Sequence, residues 1–331
     1  MRCLIALCLL QAGCGGKAGL VRVRLAHPGS GFQTWSLPIP LAQSLGFYRE
    51  EGLEVEIENM ASAVKAMQAL IGGSVDAAGI VYLQTMQLAA EGQPVRSIFV
   101  MTRRETKVLV VSPAAAGRIR RVEDLKGKAI GTPSPGSATH LWLNAILGKH
   151  GIRPEEVSAV GIGVAAPAIA AVENARVDAA ALAGGDHLPL LRRHPSLLVL
   201  ADASTAEGMQ ATYGSDVFAT GVVAAKPEWL ERNPDAARRL ARGLRRANEW
   251  IAAHSAEEIR ERLPEGFRSQ DAASDLEVLR WSKSTYTPDG KMPPGAPEVV
   301  KRFVDTAVSN VREGKVDVAA TWTDAYLTEG K

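Results

Sequence analysis

Cysteine is nearly absent from this 331-residue chain, and its three copies, Cys3, Cys8 and Cys14, all lie within the first fourteen residues. Nothing after Cys14 could therefore form a disulfide or a thiolate metal site. An excess of charge of one sign is also lacking, because 38 basic and 36 acidic residues leave a formal net charge of +2. With the basic residues dispersed, this balance argues against a nucleic-acid partner.

The residue groupings that carry most enzyme chemistry are missing as well. The six histidines are scattered, without a His-x-x-x-His pair or a His/Cys/Asp grouping at metal-ligand spacing. The sequence also has no Gly-x-Ser-x-Gly elbow and no phosphate-binding P-loop. It therefore predicts a protein that is not an enzyme and that needs no metal or cofactor.

The first fourteen residues are typical of a bacterial signal peptide. A basic start, an apolar run over 4–10 and a small-residue exit have the right order, and the run is too short to span a bilayer. Ala12-Gly13-Cys14 resembles a lipobox, in which Cys14 receives lipid, although Gln11 stands where an aliphatic residue is usual. An ordinary secretory signal is the alternative. Either way, residues 15–21 are expected to form a tether, and the folded part to lie in the periplasm or cell envelope.

A repeat organises the rest of the chain. Val75-Asp76-Ala77-Ala78 recurs as Val177-Asp178-Ala179-Ala180, and Pro28-Gly29-Ser30 has a counterpart in Pro135-Gly136-Ser137. The spacing exceeds the roughly 20–50 residues of a solenoid unit and approaches the size of a whole lobe. Two similar lobes imply a cleft between them, and a cleft implies a ligand. The aspartates of the repeat are expected to stabilise a turn or cap and not to touch that ligand.

Strand patterns that alternate with helical patterns predict an α/β protein with mainly parallel sheets flanked by helices. We expect residues 22–111 and 218–331 to form lobe 1, and residues 112–217 to form an inserted lobe 2. The segments 107–111 and 218–225 would then be two hinge strands. The chain is long enough for two cores in a monomer.

Five short segments occur in a recognisable order: LGFYREEGLEV at 45–55, GSVDAA at 73–78, VEDLKGK at 122–128, GSATH at 136–140 and WLERNP at 229–234. Together they resemble the nitrate/sulfonate/taurine family of ABC-transporter solute-binding proteins, which includes thiamine-pyrimidine-like members. The resemblance implies the two-lobed type II periplasmic-binding-protein fold. It also implies capture of a small anionic or zwitterionic solute, such as a sulfonate, nitrate, a carboxylate or a thiamine precursor, and delivery to an ABC permease with its cytoplasmic ATPase.

Two other functions stay open. A lipid-anchored sensor would bind a ligand in the same way and partner with a receptor in place of a permease. A pyrimidine synthase of thiamine biosynthesis has the same fold, but such enzymes have a cysteine-rich motif, and this sequence lacks it.

In a parallel sheet, ligands bind beyond the carboxyl ends of the strands, where helix N-termini point. The segment 134–140 combines a strand end, a glycine turn and a helix start, so its amides and hydroxyls suit an anion. In lobe 1 the loop after the first strand supplies two aromatic residues and a glutamine. Ser62 and Tyr82 follow from the same topology. These predicted ligand-binding residues are Phe32, Gln33, Trp35, Ser62, Tyr82, Ser134, Gly136, Ser137, Thr139 and His140.

A second loop of lobe 2 offers a charge. Gly185 allows close approach of the backbone to a ligand, and Asp186 would favour the amino group of a zwitterion. Arg103 and Arg104, near the first hinge, could supply the opposite charge, or could simply face solvent.

Overall fold

The computed structural model describes residues 19–29, 33–308 and 316–328. The predicted signal peptide with Cys14, most of the predicted tether and Phe32 lie outside these residues, so the predictions made for them stay predictions. In the described residues, two sheets of five strands are flanked by helices, which confirms the predicted α/β fold.

The two sheets share one topology. The first has the order β2-β1-β3-β10-β4 and the second the order β7-β6-β8-β5-β9. In each sheet four strands run in the same direction, three of them side by side, and β10 or β5 runs antiparallel to its neighbours. The strands are β1 Val21–Pro28, β2 Leu53–Met60, β3 Ala77–Val81, β4 Arg96–Val100, β5 Val108–Val111, β6 Ala129–Thr132, β7 Ser158–Gly161, β8 Ala179–Leu182, β9 Val199–Asp202 and β10 Gly221–Ala225.

Helices cover both sheets, and most begin at a capping residue or at proline, which lacks an N–H group that would be unpaired there. In the described part of the chain they are α1 Pro38–Ser44, α2 Phe47–Glu50, α3 Ala63–Gly72, α4 Leu83–Ala90, α5 Ala138–Lys149, α6 Ala166–Glu173, α7 His187–Arg193, α8 Ala206–Tyr213, α9 Pro227–Arg232, α10 Pro234–Ala253, α11 Ala256–Arg262, α12 Ala272–Ser282 and α13 Ala296–Ala307.

The repeated aspartates make the same contact in both sheets. The Asp76 carboxylate accepts a hydrogen bond from the Arg24 N–H, and the Asp76 N–H donates to the Arg24 carbonyl, both at 2.9 Å. Asp178 does the same to Ala129, at 3.0 and 2.8 Å. Each aspartate therefore joins the start of β3 or β8 to the neighbouring parallel strand, which is a structural role.

One strand lies in the other sheet from the one predicted. β5 was expected to end lobe 1, but it pairs with β8 and β9 of the second sheet, whereas β10 pairs with β3 and β4 of the first. The assignment of β5 is therefore wrong. Its apolar run suits a buried strand of either sheet, so only pairing distinguishes them.

The chain crosses from the first sheet to the second over residues 101–107 and returns over 217–220. These two segments are hydrogen-bonded to each other. The Phe218 N–H donates to the Arg103 carbonyl, and the Thr220 N–H to the Thr102 carbonyl, both at 3.0 Å. This paired double crossover joins the two sheets through two short, adjacent segments, so few backbone torsions separate one sheet from the other.

Candidate functional site

A cavity of about 90 Å³ lies between the two sheets, at the carboxyl ends of their parallel strands. Segments that follow β1 and β2 line one side of the cavity, and segments that follow β6 and β7 line the other. This edge is where open α/β sheets bind ligands. A water molecule takes about 30 Å³ in the liquid, so the cavity has room for on the order of three water molecules.

The N-terminus of α5 lies at the cavity. Ser137 caps this helix, since its Oγ accepts a hydrogen bond from the His140 N–H at 3.2 Å. The N–H groups of Ala138 and Thr139 belong to the first turn, which has no helical carbonyls to pair with, and both residues line the cavity. Ser134 lines the same wall, and its buried Oγ has no hydrogen-bond partner among the described residues.

The N-terminus of α3 lies at the same cavity from the first sheet. Ser62 caps it in the same manner, with Oγ accepting from the Lys65 N–H at 3.3 Å. Ala63 and Val64, whose N–H groups fall in the first turn, line the cavity beside Ser62. Two helix N-termini, one from each sheet, therefore share one small space.

The loop after β1 supplies the apolar wall of the cavity. Gln33 and Trp35 line it, together with Gly29, whose φ of 125° favours glycine. Trp35 is half-buried and packs against the start of β10, where an added Cβ on Gly221 would lie 2.5 Å from the Trp35 carbonyl oxygen. The absence of a side chain at Gly221 is thus what lets Trp35 reach the cavity wall.

Sequence reasoning missed the crossover residues that also line the cavity: Glu105, Thr106, Lys107 and Thr220. Glu105 and Lys107 are 1% and 3% exposed and form a buried ion pair. The signal available in the sequence was a charged pair directly before an apolar strand. Arg103 and Arg104, which could have supplied a positive charge to the ligand, are not among the lining residues, and Arg103 is exposed.

Six predicted residues meet at the cavity: Gln33, Trp35, Ser62, Ser134, Ser137 and Thr139. Others lie elsewhere. Tyr82 is fully buried, with its hydroxyl 2.7 Å from the Thr321 Oγ1. The Gly136 N–H donates to the His140 Nδ1 at 2.9 Å, so these two residues serve the turn before α5. Burial lowers the pKa of His140, which favours the neutral ring that this bond needs.

Gly185 and Asp186 are also absent from the cavity lining. Gly185 has a φ of 93° and packs against Val278 and Trp281 of α12. The Asp186 carboxylate accepts a hydrogen bond from the Ala165 N–H at 2.8 Å, and burial raises the pKa of Asp186 to about 7. Because Ala165 has a φ of 55° and follows the cavity-lining Val164, Asp186 holds a strained loop in place.

Contacts outside the cavity hold the two sheets in this arrangement. The Thr34 hydroxyl donates to the Gly184 carbonyl at 3.1 Å, and His187 packs edge-on against Trp281, with ring centroids 5.5 Å apart. Arg192 of α7 reaches Asp271 at 3.0 Å and the Ser274 hydroxyl at 2.6 Å, at the start of α12. These contacts join segments that follow the two sheets on the outside of the cavity.

In residues 19–29, 33–308 and 316–328, no group of three or more histidine, cysteine, aspartate or glutamate side chains is placed to hold a metal ion. No helix within those ranges is both long and apolar enough to cross a membrane.

Two five-stranded sheets joined by a double crossover, with a cavity at their facing edges, define the periplasmic binding protein fold. The family model described as NMT1/THI5 like matches residues 33–258, which is most of the chain. The protein belongs to this family.

Comparison with known sequences gives two informative relatives. YtlA of Bacillus subtilis (strain 168) is 24% identical over 292 residues, which cover 86% of this chain and 83% of YtlA. The 4-amino-5-hydroxymethyl-2-methylpyrimidine phosphate synthase THI13 of Saccharomyces cerevisiae is 25% identical over 230 residues, or 66% of this chain and 64% of the yeast protein.

Solved structures agree on the fold. A protein of Bordetella bronchiseptica RB50 is 29% identical, with a TM-score of 0.85 over 93% of this chain and 96% of its own. The alkanesulfonate-binding protein SsuA of Xanthomonas axonopodis pv. citri, bound to MOPS, has a TM-score of 0.68 at 20% identity, covering 92% of this chain and 99% of SsuA. The second likeness supports the fold alone.

Proposed function

We propose that this protein is the extracytoplasmic solute-binding component of an ABC importer and captures a small anionic or zwitterionic solute between its lobes. The observation that carries the proposal is the meeting of two serine-capped helix N-termini, from α3 and α5, at one small cavity. Each N-terminus is equivalent to roughly +0.5 elementary charge and presents unpaired N–H groups. An anion bound there needs no arginine.

The size of the cavity supports a small ligand. Room for on the order of three water molecules suits nitrate, a short carboxylate or a short alkanesulfonate. The similar SsuA structure is that of an alkanesulfonate-binding protein bound to the larger MOPS. A ligand of that size would require the lobes of this protein to move apart.

Ligand contacts are proposed for the residues that line the cavity: Gln33, Trp35, Ser62, Ser134, Ser137, Thr139 and Lys107. Phe32, which lies outside the described residues, is proposed as a neighbour of Gln33. We propose that the lobes correspond to the two sheets, with residues 101–107 and 217–220 as the hinge.

Lipid attachment at Cys14 and an ABC permease as partner complete the proposal. A receptor partner is the alternative, and co-purification with permease subunits from membranes distinguishes the two. Mass spectrometry of the mature N-terminus tests the anchor, because an unmodified peptide that begins at another residue contradicts lipidation of Cys14.

The similarity to the yeast synthase suggests pyrimidines as a second class of ligand. THI13 is named as a pyrimidine phosphate synthase, and the match covers two thirds of this chain. The only cysteines here are Cys3, Cys8 and Cys14, so the sequence lacks the cysteine-rich motif of such enzymes. Pyrimidines therefore belong in the ligand screen, and a synthase activity is the less supported alternative.

The test is a thermal-shift and calorimetry screen with nitrate, alkanesulfonates, taurine, short carboxylates and aminopyrimidines. Ligand at 100 times Kd adds about 2.7 kcal/mol to the free energy of unfolding. Ala63→Asp places a carboxylate on the first turn of α3, beside the cavity, and should abolish anion binding while suiting the helix.

Ala206→Asp is the matched control, because Ala206 has the same position on the Thr205-capped helix α8 and is exposed. We expect it to leave affinity unchanged. Equal affinity of the Ala63→Asp protein and the unmodified protein for the best anion would contradict an anion site at these helix ends.

A further inference from the structure

Of the residues that line the cavity, two are ionisable, Glu105 and Lys107. Their charged groups contact each other, and their side chains are 0% and 4% exposed, respectively. The Glu105 Oε2 accepts a long hydrogen bond of 3.4 Å from the Thr106 N–H. No donor among the described residues is aligned for a hydrogen bond to the Glu105 Oε1, which the Lys107 ammonium contacts as an ion pair.

The surroundings fix this pair at the crossover. The Lys107 ammonium lies 5.9 Å from the centroid of the Phe218 ring, and the Lys107 carbonyl accepts from the Ala203 N–H at 2.8 Å. On the other side, the Thr106 Oγ1 accepts from the Gly184 N–H at 3.0 Å. Both charges are therefore held on a rigid segment next to the space where the helix N-termini meet.

The net charge of the groups around the cavity determines which ligand charge the cavity favours. Glu105 cancels Lys107, so the side chains contribute no net charge. The N-termini of α3 and α5 together contribute roughly one positive charge. One negative charge on a ligand balances this total, whereas a second one would stay uncompensated by the groups that line the cavity.

We propose that Glu105 makes the site selective for anionic groups with a single charge and excludes dianions such as sulfate. The inference rests on the proposed function, since it concerns the same cavity. Without Glu105, the free charge of Lys107 would balance the second negative charge. One unit charge acting within so small a cavity changes Kd by roughly 30–100-fold at an effective dielectric constant near 20.

Methanesulfonate and sulfate provide a matched pair of probes, because both are tetrahedral and of similar size but differ by one charge. We expect the unmodified protein to bind methanesulfonate at least 30-fold more tightly than sulfate, as measured by calorimetry at pH 7.5 and constant ionic strength. In Glu105→Gln the ratio should fall by roughly 30–100-fold, with sulfate gaining most.

The double variant Glu105→Gln/Lys107→Gln restores neutrality, so its ratio should return to that of the unmodified protein even if both affinities fall. Glu261→Gln, an exposed position on α11, controls for the loss of one acidic residue. If Glu105→Gln does not fold, Lys107→Gln carries the test, because the unpaired charge of Glu105 should raise the ratio roughly 30–100-fold above that of the unmodified protein.

Three results would overturn the inference. Sulfate could bind the unmodified protein as tightly as methanesulfonate, the ratio could be unchanged in Glu105→Gln, or the double variant could behave like the single one. In each case anion capture at the helix N-termini stands. If the unmodified protein binds no anion of the screen, the proposed function fails, and the inference fails with it.

Discussion

Replacing Gly221 with alanine tests how the cavity wall is built. Gly221 begins β10, where its N–H donates to the Thr102 Oγ1 at 2.8 Å and its carbonyl accepts from the Met101 N–H at 2.7 Å. A Cβ on Gly221 would lie 2.5 Å from the Trp35 carbonyl oxygen and 2.9 Å from the Trp35 Cε3. Both distances are well inside van der Waals contact, which for carbon begins at about 3.5 Å.

The loss of stability caused by the added methyl group depends on which neighbouring atoms can move away from it. Overpacking a well-packed site costs about 1–3 kcal/mol, and the upper end applies where a backbone atom is the obstacle. Since one of the two obstructing atoms is a backbone oxygen, we expect Gly221→Ala to lower the free energy of unfolding by about 3 kcal/mol. Ligand affinity should fall as well, because Trp35 would be displaced from the cavity wall.

Urea unfolding followed by circular dichroism measures this loss. Gly148→Ala is the control, since Gly148 lies within α5 and nothing is within 4 Å of an added Cβ. That change should stabilise the protein by about 0.5–1 kcal/mol. If Gly221→Ala has the same urea midpoint and m-value as the unmodified protein, Trp35 does not pack on β10 in solution.

Three further predictions concern the repeat, pH and lobe contacts. Asp76→Ala and Asp178→Ala should each lower the free energy of unfolding, measured in urea, by about 1–3 kcal/mol, because each leaves a strand N–H without its acceptor. Asp235→Ala is the control, since Asp235 is exposed, and it should change the free energy of unfolding by less than about 0.5 kcal/mol. Burial lowers the pKa of His187 to about 4, so the unfolded chain binds the proton more tightly, and stability is lost as pH falls from 6.5 to 4. His187→Leu should therefore remove up to about 3 kcal/mol of this acid loss, and an identical pH profile of the melting temperature would refute the burial of a neutral ring. Arg192→Ala should weaken ligand binding by about fivefold, because the contacts between α7 and α12 are lost. It should have little effect on the free energy of unfolding, because the ion pairs are half-exposed. Unchanged affinity would show that these contacts do not favour the arrangement that binds the ligand.

Local sequence patterns predicted the helices well where caps and breakers were clear. The sequence pattern predicts helices over 138–149, 227–232 and 234–253, and the bounds of α5, α9 and α10 agree with these ranges. Serine or proline at the start of each helix provides a signal that depends on near neighbours alone. By contrast, the sequence pattern predicts one helix over 39–50 where the structure has two, since Gly46 takes a φ of 76° between them, and it predicts no helix where α8 lies.

The candidate site was partly predictable for the same reason. Ser62, Ser134, Ser137 and Thr139 follow strand ends and begin helices, and topology alone carries such positions to the cleft. Tyr82 satisfies the same rule, but its ring turns into the core towards Thr321. The rule places a backbone segment and does not determine the direction of a side chain.

By itself, the sequence determined the α/β class and the repeat, and it predicted the edge of each sheet at which the cavity lies. These properties depend on hydrophobic period, turn residues and helix caps, which act over a few residues. Only the tertiary structure decided that β5 joins the second sheet, that Asp186 supports Ala165, and that Glu105 and Lys107 meet at the cavity. Those outcomes depend on strand pairing and on which charges are buried together, and such long-range contacts leave no local pattern in the chain.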